Sequence, residues 1–201
     1  MNQNPYRNAG IAALVLAVLF PIYWFYVIHL YSTQSLEAGL LADMATLNAW
    51  DALFVLIGAL EVYIYVKLSQ LCRNHINGGV SATLLLLMAA VVVLFHAAVL
   101  VDVSIAFNLV RDPEAVGELA LLFSMVCLFV YSVLAFILAI SLLIRLASLS
   151  MLLKIFAVGL LTAAVLQFTV ILGVINTLLF PVLLVVLAVQ FLRNDQDVEV
   201  V

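Results

Sequence analysis

Glu61 lies midway along an apolar run, Trp50–Leu71, well away from the other charges in it, Asp51 and Lys67. If that run crosses a bilayer, the carboxyl sits near the midplane, where a charge costs several kcal/mol, about 3 on insertion scales. Such a group is paired, protonated or in contact with water. A carboxyl that gains and loses a proton at that depth is the chemistry a proton-coupled transporter needs. The alternative is a protonated glutamic acid hydrogen-bonded to another helix, with Tyr131, Gln167 or Thr162 as the available partners. The stripe that carries Glu61 also holds Tyr65 one turn further on, so Tyr65 belongs to the same candidate site.

Two further titratable groups fall in the next apolar run. His96 brings an imidazole that exchanges protons in the physiological range. Asp102 follows six residues later, about 120° around a helix of 3.6 residues per turn, so the two need not face one partner. Asp51 opens its own run and either caps the amides there or joins Asp102 in an acidic, cation-attracting mouth. His29 and His96 would together allow a bis-histidine haem, and His29, His96, Asp51 and Asp102 a zinc site. Neither set has the spacing of a known ligand motif, so no cofactor and no metal is expected.

These residues are positioned by helices that cross a membrane. Hydrophobic residues make up 68% of the chain and charged residues 9%, against roughly 25% charged in soluble domains. A helix needs about 20 apolar residues to cross the hydrocarbon. Six runs qualify: 10–31, 50–71, 80–107, 117–144, 148–174 and 177–192. The first is too long for a signal-peptide core and reads as a retained helix. The last two are separated only by a turn predicted at Gly173, Asn176 and Thr177. The expected fold is an all-α membrane bundle of six helices forming one domain over residues 1–201. The longest loop, Ser32–Ala49, has room for a short helix or lid.

Lys and Arg mark orientation, because cytoplasmic loops are rich in them. Of the seven, only Arg111 falls on the opposite side from Arg7, Lys67, Arg73, Arg145, Lys154 and Arg193. Both termini are therefore expected in the cytoplasm, and this bias fits a bacterial inner membrane. Glu37, Asp43, Asp51, Asp102, Asp112, Glu114 and Glu118 gather on the outer side with Arg111. They either raise the local cation concentration or simply populate loops where acids cost little. The formal net charge of −4 excludes nucleic acid as a partner.

Faces turned inward are marked by small and polar residues. The second helix shows the clearest stripe, Asn48, Asp51, Gly58, Glu61, Tyr65, Ser69 and Cys72, opposite Leu53, Leu56, Leu60 and Val66. Weaker stripes run along Gly10, Ala13, Ala17 and Pro21, along Ser124, Cys127, Tyr131 and Ala135, and along Thr162, Thr169, Gly173 and Asn176. Gly159 and Ala163 form a small-residue pair. Pro21 and Pro181 each remove a backbone donor inside a helix and predict a kink. Trp24, Tyr26, Tyr31 and Trp50 read as an aromatic belt. Cys72 and Cys127 are packing residues, far apart and outside any CxxC pair.

No GxSxG elbow, HExxH or phosphate loop is present, and Ser124, Ser132 and Ser141 have no nearby histidine in sequence. The leading expectation is a transporter or channel-like protein for a small solute or cation, with Glu61 as the proton- or cation-responsive site. Besides the lipid bilayer and that solute, a membrane-protein partner or a second copy of the chain is a possible contact. Alternatives are a non-catalytic membrane subunit packing against such a partner, and an intramembrane enzyme acting on lipid or quinone.

Overall fold

The computed structural model of the protein describes residues 4–33, 43, 44, 46–75, 78–169 and 172–193. Within them run α1 (Arg7–Thr33), α2 (Ala49–His75), α3 (Gly79–His96), α4 (Val99–Ala106), α5 (Pro113–Leu143), α6 (Met151–Phe168) and α7 (Asn176–Leu192). Short 3₁₀ turns occupy Leu146–Ser148 and Leu172–Ile175. α3 and α4 make one crossing between them, so six stretches are long and apolar enough to span a membrane. The protein is an all-α, multi-pass membrane bundle.

Each span packs on the next in chain order, and α7 closes back on α1, giving a ring of six helices. An even number of crossings brings the start of α1 and the end of α7 to one face, called here the terminal face; the other is the distal face. At the α1–α7 seam a Cβ on Gly10 would lie 2.6 Å from Leu192 Cγ and 3.2 Å from the Ala188 carbonyl. Glycine is what allows the two backbones to approach there. The Asn4 side-chain amide donates to the carbonyls of Phe191 at 2.9 Å and Arg193 at 3.1 Å. Carbonyls at the end of α7, which have no partner within the helix, are thereby satisfied.

Helix ends follow local chemistry. α2 opens with a reciprocal cap: Asn48 Oδ1 accepts from the Trp50 amide at 2.7 Å, and the Asp51 carboxylate accepts from the Asn48 amide at 2.6 Å. α5 starts with Asp112, whose carboxylate accepts from the Ala115 amide at 3.1 Å, and with Pro113 in the first turn. After α4, Asn108 takes φ 54° and the Leu109 amide returns to the Ser104 carbonyl at 2.8 Å. Asn tolerates that left-handed position better than most residues.

Three expected boundaries are corrected. The third run is two helices, because beyond His96 the backbone bonds tighten to the i−3 pattern: Ala98 to Phe95, Leu100 to Ala97, Val101 to Ala98. The fifth helix stops at Phe168, short of the expected Val174, and Gly173 lies in the 3₁₀ turn that follows. Thr177 opens the last run as expected, and Asn176, expected in the turn, is the first residue of α7. Asn176 is held there by its side-chain amide, which donates to the Ala163 carbonyl and to Gln167 Oε1, both at 3.0 Å. The helices continue through Pro21 and Pro181.

Large apolar residues such as Val18, Leu56, Val93, Phe129, Val158 and Val182, one from each span, are exposed on the outside of the ring. In a bilayer that surface meets lipid. The Lys and Arg sort as expected by side, with Arg111 alone toward the distal face. Glu37, most of the Ser32–Ala49 loop and the tail beyond Arg193 lie outside the described residues.

At the distal face the Tyr26 and Trp50 rings stack at 4.0 Å and 5°, and the Tyr26 hydroxyl donates to Asp43 at 3.3 Å. Burial pushes the Asp43 carboxyl above the usual carboxylate range; Tyr26's hydrogen bond opposes this and the charge of Asp51 adds to it. A carboxyl raised in the folded state favours that state while protonated. The buried placement of Asp43 is therefore expected to lose stability as pH rises from the ordinary carboxylate value through the folded one, because the charge is desolvated even though the Tyr26 bond favours it. Trp50 emission should follow that change, and Asp43→Asn should flatten it. A pH profile unaltered by Asp43→Asn would remove Asp43 as its source.

Candidate functional site

The ring is not filled evenly. In its terminal half Leu16, Leu68, Leu85, Leu138, Ala157 and Leu187, one from each span, are at most 1% exposed. They form a continuous packed layer. In the distal half the helices enclose a cavity of about 550 Å³, lined by residues of all six spans. A volume of that order suits a drug-sized molecule.

Helical spacing decides who faces the cavity. On α1 it is Phe20, Tyr23, Trp24, Val27 and Ile28; on α2, Phe54, Ile57 and Glu61; on α3, Val92, Phe95 and His96. Each set keeps the 3, 4 or 7 residue separation that holds side chains on one face. α5 contributes Cys127, Tyr131 and Ala135, four apart, and α6 and α7 contribute Gln167 and Asn176. Gly58 stands on the same side of α2. A Cβ there would fall 2.4 Å from His96 Cγ, so its missing side chain is the space the imidazole fills.

Glu61 forms the floor, 6% exposed. About 18 Å separates it from the start of α2 at ~1.5 Å per residue, which is near the middle of the crossing. Tyr131 donates its hydroxyl to Glu61 Oε1 at 3.1 Å, and the Tyr65 hydroxyl in turn bonds that of Tyr131. A hydroxyl carries one hydrogen, so in this arrangement Tyr65 donates to Tyr131 and Tyr131 to Glu61. No Lys or Arg lines the cavity. Tyr131→Phe should therefore remove one bond at the carboxyl and the hydroxyl contact of Tyr65, whose hydroxyl also interacts with Glu61. The expected cost is about 1–3 kcal/mol of stability, read as a lower melting temperature, with a shifted Glu61 carboxyl stretch in the infrared. An unshifted stretch would mean that Tyr131 does not reach Glu61 in the membrane.

His96 Nδ1 lies 2.9 Å from the Val92 carbonyl. A carbonyl only accepts, so Nδ1 carries the proton and Nε2 keeps a lone pair when the ring is neutral. The ring stacks on Phe54 at 4.3 Å. Asn176 spends both amide hydrogens on Ala163 and Gln167, while its Oδ1 is buried with no hydrogen-bond partner. A buried amide oxygen without a partner is uncommon in folded proteins, and Asn176 is a lining residue.

The predicted site residues divide into two groups. Glu61, His96, Tyr131 and Gln167 share the cavity, with Tyr65 directly behind Tyr131. Of the partners foreseen for Glu61, Tyr131 makes the bond. Gln167 turns instead to Asn176, and Thr162 is exposed, its hydroxyl bonded to the Val158 carbonyl. Asp51 and Asp102 do not line the cavity. Asp51 is the cap of α2, and Asp102, half-buried on α4, lies within electrostatic range of Asp51 and Asp43 at the distal rim.

His29 is exposed, so the structure does not bring it to one pocket with His96. Among the described residues no group of three His, Cys, Asp or Glu could hold a metal ion. Ser132 and Ser141 bond the Leu128 carbonyl and Ser81. Trp24, expected in the aromatic belt, turns toward the cavity.

Sequence reasoning missed the aromatic wall. Ring centroids run from Phe180 to Phe20 at 4.8 Å, Phe20 to Trp24 at 6.0 Å, Trp24 to Tyr23 at 5.8 Å, Tyr23 to Phe54 at 5.4 Å and Phe54 to Phe95 at 5.5 Å. It also missed Asn176 as a lining residue. The signal was present in the repeat Phe20, Tyr23, Trp24 and in Phe54 lying two turns before Glu61 on one face. Compared with protein-family models, curated proteins and solved structures, the chain matches none of them.

Proposed function

We propose that this protein is a small membrane transporter in which Glu61 binds and releases a proton as a solute enters and leaves the cavity. One observation carries the reading: the bundle is hollow in its distal half and packed in its terminal half, and the level where the two meet holds a carboxyl with no cationic partner. A site at mid-depth, hollow toward one face and packed toward the other, is the arrangement expected of one of the two states that alternating access requires. The carboxyl suits coupling, because it must be neutral or compensated to stay there. With the termini in the cytoplasm, as the Lys and Arg placement implies, the cavity faces the outside and the packed layer is the closed inner gate.

A non-catalytic subunit would have little use for a cavity lined by all six spans. The test is an infrared difference titration of wild type against Glu61→Gln in lipid. The reading expects a protonated carboxyl stretch that disappears as pH is raised and shifts rapidly in heavy water. A stretch that persists at every pH and exchanges slowly would make Glu61 a structural hydrogen bonder and overturn the coupling.

A further inference from the structure

We infer that the solute is a lipophilic amine, carried as its ammonium ion and exchanged at Glu61 for a proton; this rests on the transport reading above. The inference comes from what the cavity lacks as much as from what it holds. Among the described residues that line it, the only formal negative charge is Glu61, and no Lys or Arg opposes it. One other group presents a lone pair, His96 Nε2, left as an acceptor by the Nδ1 bond to Val92. An anionic solute would meet no positive side chain. A neutral apolar one would leave an ionised Glu61 without a counter-charge. An ammonium with N–H bonds answers both, pairing with the carboxylate and donating to an acceptor.

The rest of the surface fits the same class. The joined rings Phe180, Phe20, Trp24, Tyr23, Phe54 and Phe95 wrap the cavity from α7 through α1 and α2 to α3. Aromatic faces attract cations, and the attraction grows when water is excluded. They also accept the apolar body of the molecule. A buried ammonium needs a counter-charge at close range, which the deprotonated Glu61 supplies.

The exchange balances. The empty site holds Glu61 as the neutral acid. When RNH₃⁺ arrives, the Glu61 O–H bond breaks, its proton leaves to water through the cavity, and the carboxylate pairs with the ammonium. The site stays neutral overall, one cation having replaced another.

The probe is 1-naphthylmethylammonium, set against its uncharged counterpart 1-naphthylmethanol, on the full chain in nanodiscs with empty nanodiscs as the lipid control. Binding is followed by quenching of Trp24, using Trp24→Phe to subtract Trp50, and proton release by a pH dye in weak buffer. The ammonium is expected to bind at least ten times more tightly than the alcohol. It should release one proton per molecule bound while Glu61 is protonated, and gain about tenfold in affinity per pH unit over that range. Glu61→Gln should abolish proton release and reduce ammonium binding to the level of the alcohol. Equal binding of the two probes by wild type, or ammonium binding without proton release below the titration of Glu61, would overturn the substrate class, and neither comparison depends on the variant folding. The infrared titration separates the two ideas. A titrating, exchanging Glu61 with no preference for the amine refutes this inference alone, whereas a Glu61 that never titrates refutes the transport reading beneath it.

Discussion

Glu61→Gln is expected to give a folded protein whose uptake no longer responds to a pH gradient. The amide matches the carboxyl in size, and its oxygen can still accept the Tyr131 hydroxyl, which reaches Glu61 at 3.1 Å. What changes is the capacity to carry a proton. Stability should stay within about 2 kcal/mol of wild type, the scale of one buried hydrogen bond gained or lost. In proteoliposomes, solute accumulation driven by a pH difference should fall to the level of protein-free vesicles. Size-exclusion profiles and melting curves establish folding before flux is measured. Loss of the folded protein, with stability restored by an apolar residue of similar volume, would show that Glu61 is a structural element of the core. Unchanged gradient-driven uptake by the folded variant would place coupling elsewhere.

Gly58→Ala is expected to destabilise the protein, against the usual preference of helices for alanine, and Gly58→Val to prevent its accumulation. Inside a helix, alanine is favoured over glycine by about 1 kcal/mol. Here the added Cβ would lie 2.4 Å from His96 Cγ, 2.6 Å from Cδ2 and 2.8 Å from Nδ1. The imidazole cannot easily retreat. It is stacked on Phe54 at 4.3 Å and tied through Nδ1 to the Val92 carbonyl at 2.9 Å. Overpacking of this kind costs about 1–3 kcal/mol, enough to reverse the propensity gain. The ring must also tilt into the cavity, so solute affinity should fall together with stability. His96→Ala in the Gly58→Ala background should recover much of the lost stability. A melting temperature for Gly58→Ala equal to or above wild type would mean that His96 is not seated on Gly58.

Much of this was legible from residues alone because it depends on helix geometry and on the cost of charge in hydrocarbon. The polar stripe of α2 emerged from Gly58 onward, with Gly58, Glu61, Tyr65, Ser69 and Cys72 all buried. Asn48, however, is exposed, and of the opposite face Leu56 is exposed while Leu53 and Leu60 are partly buried against the core. The buried stripe needs only a period of 3.6 and a solvent that rejects polar groups. Tyr131 was among the partners named for Glu61, since few hydroxyls lie at the right depth. Boundaries were less secure wherever apolar residues continue through a turn. The bend after His96 and the end of α6 at Phe168 are set by local hydrogen-bond patterns within uniformly hydrophobic stretches.

The choice between Tyr131, Gln167 and Thr162 was a matter of neighbours. Thr162 and Gln167 are five residues apart on α6, yet one is exposed and the other lines the cavity, because α6 presents only one face to its ring. Asn176 was misread as a turn residue, since its partners, Ala163 and Gln167, belong to another helix. The sequence by itself determined the class of protein, the number of crossings, the side on which charges lie and the depth of Glu61, all properties of one helix in a slab. Only the tertiary structure decided that the spans close into a ring, that the ring is packed in its terminal half and hollow in its distal one, and that a run of six aromatic rings lies along the cavity that holds the carboxyl. Those depend on which side chains meet across helices and whether their volumes fill the space between, and no single helix carries that information.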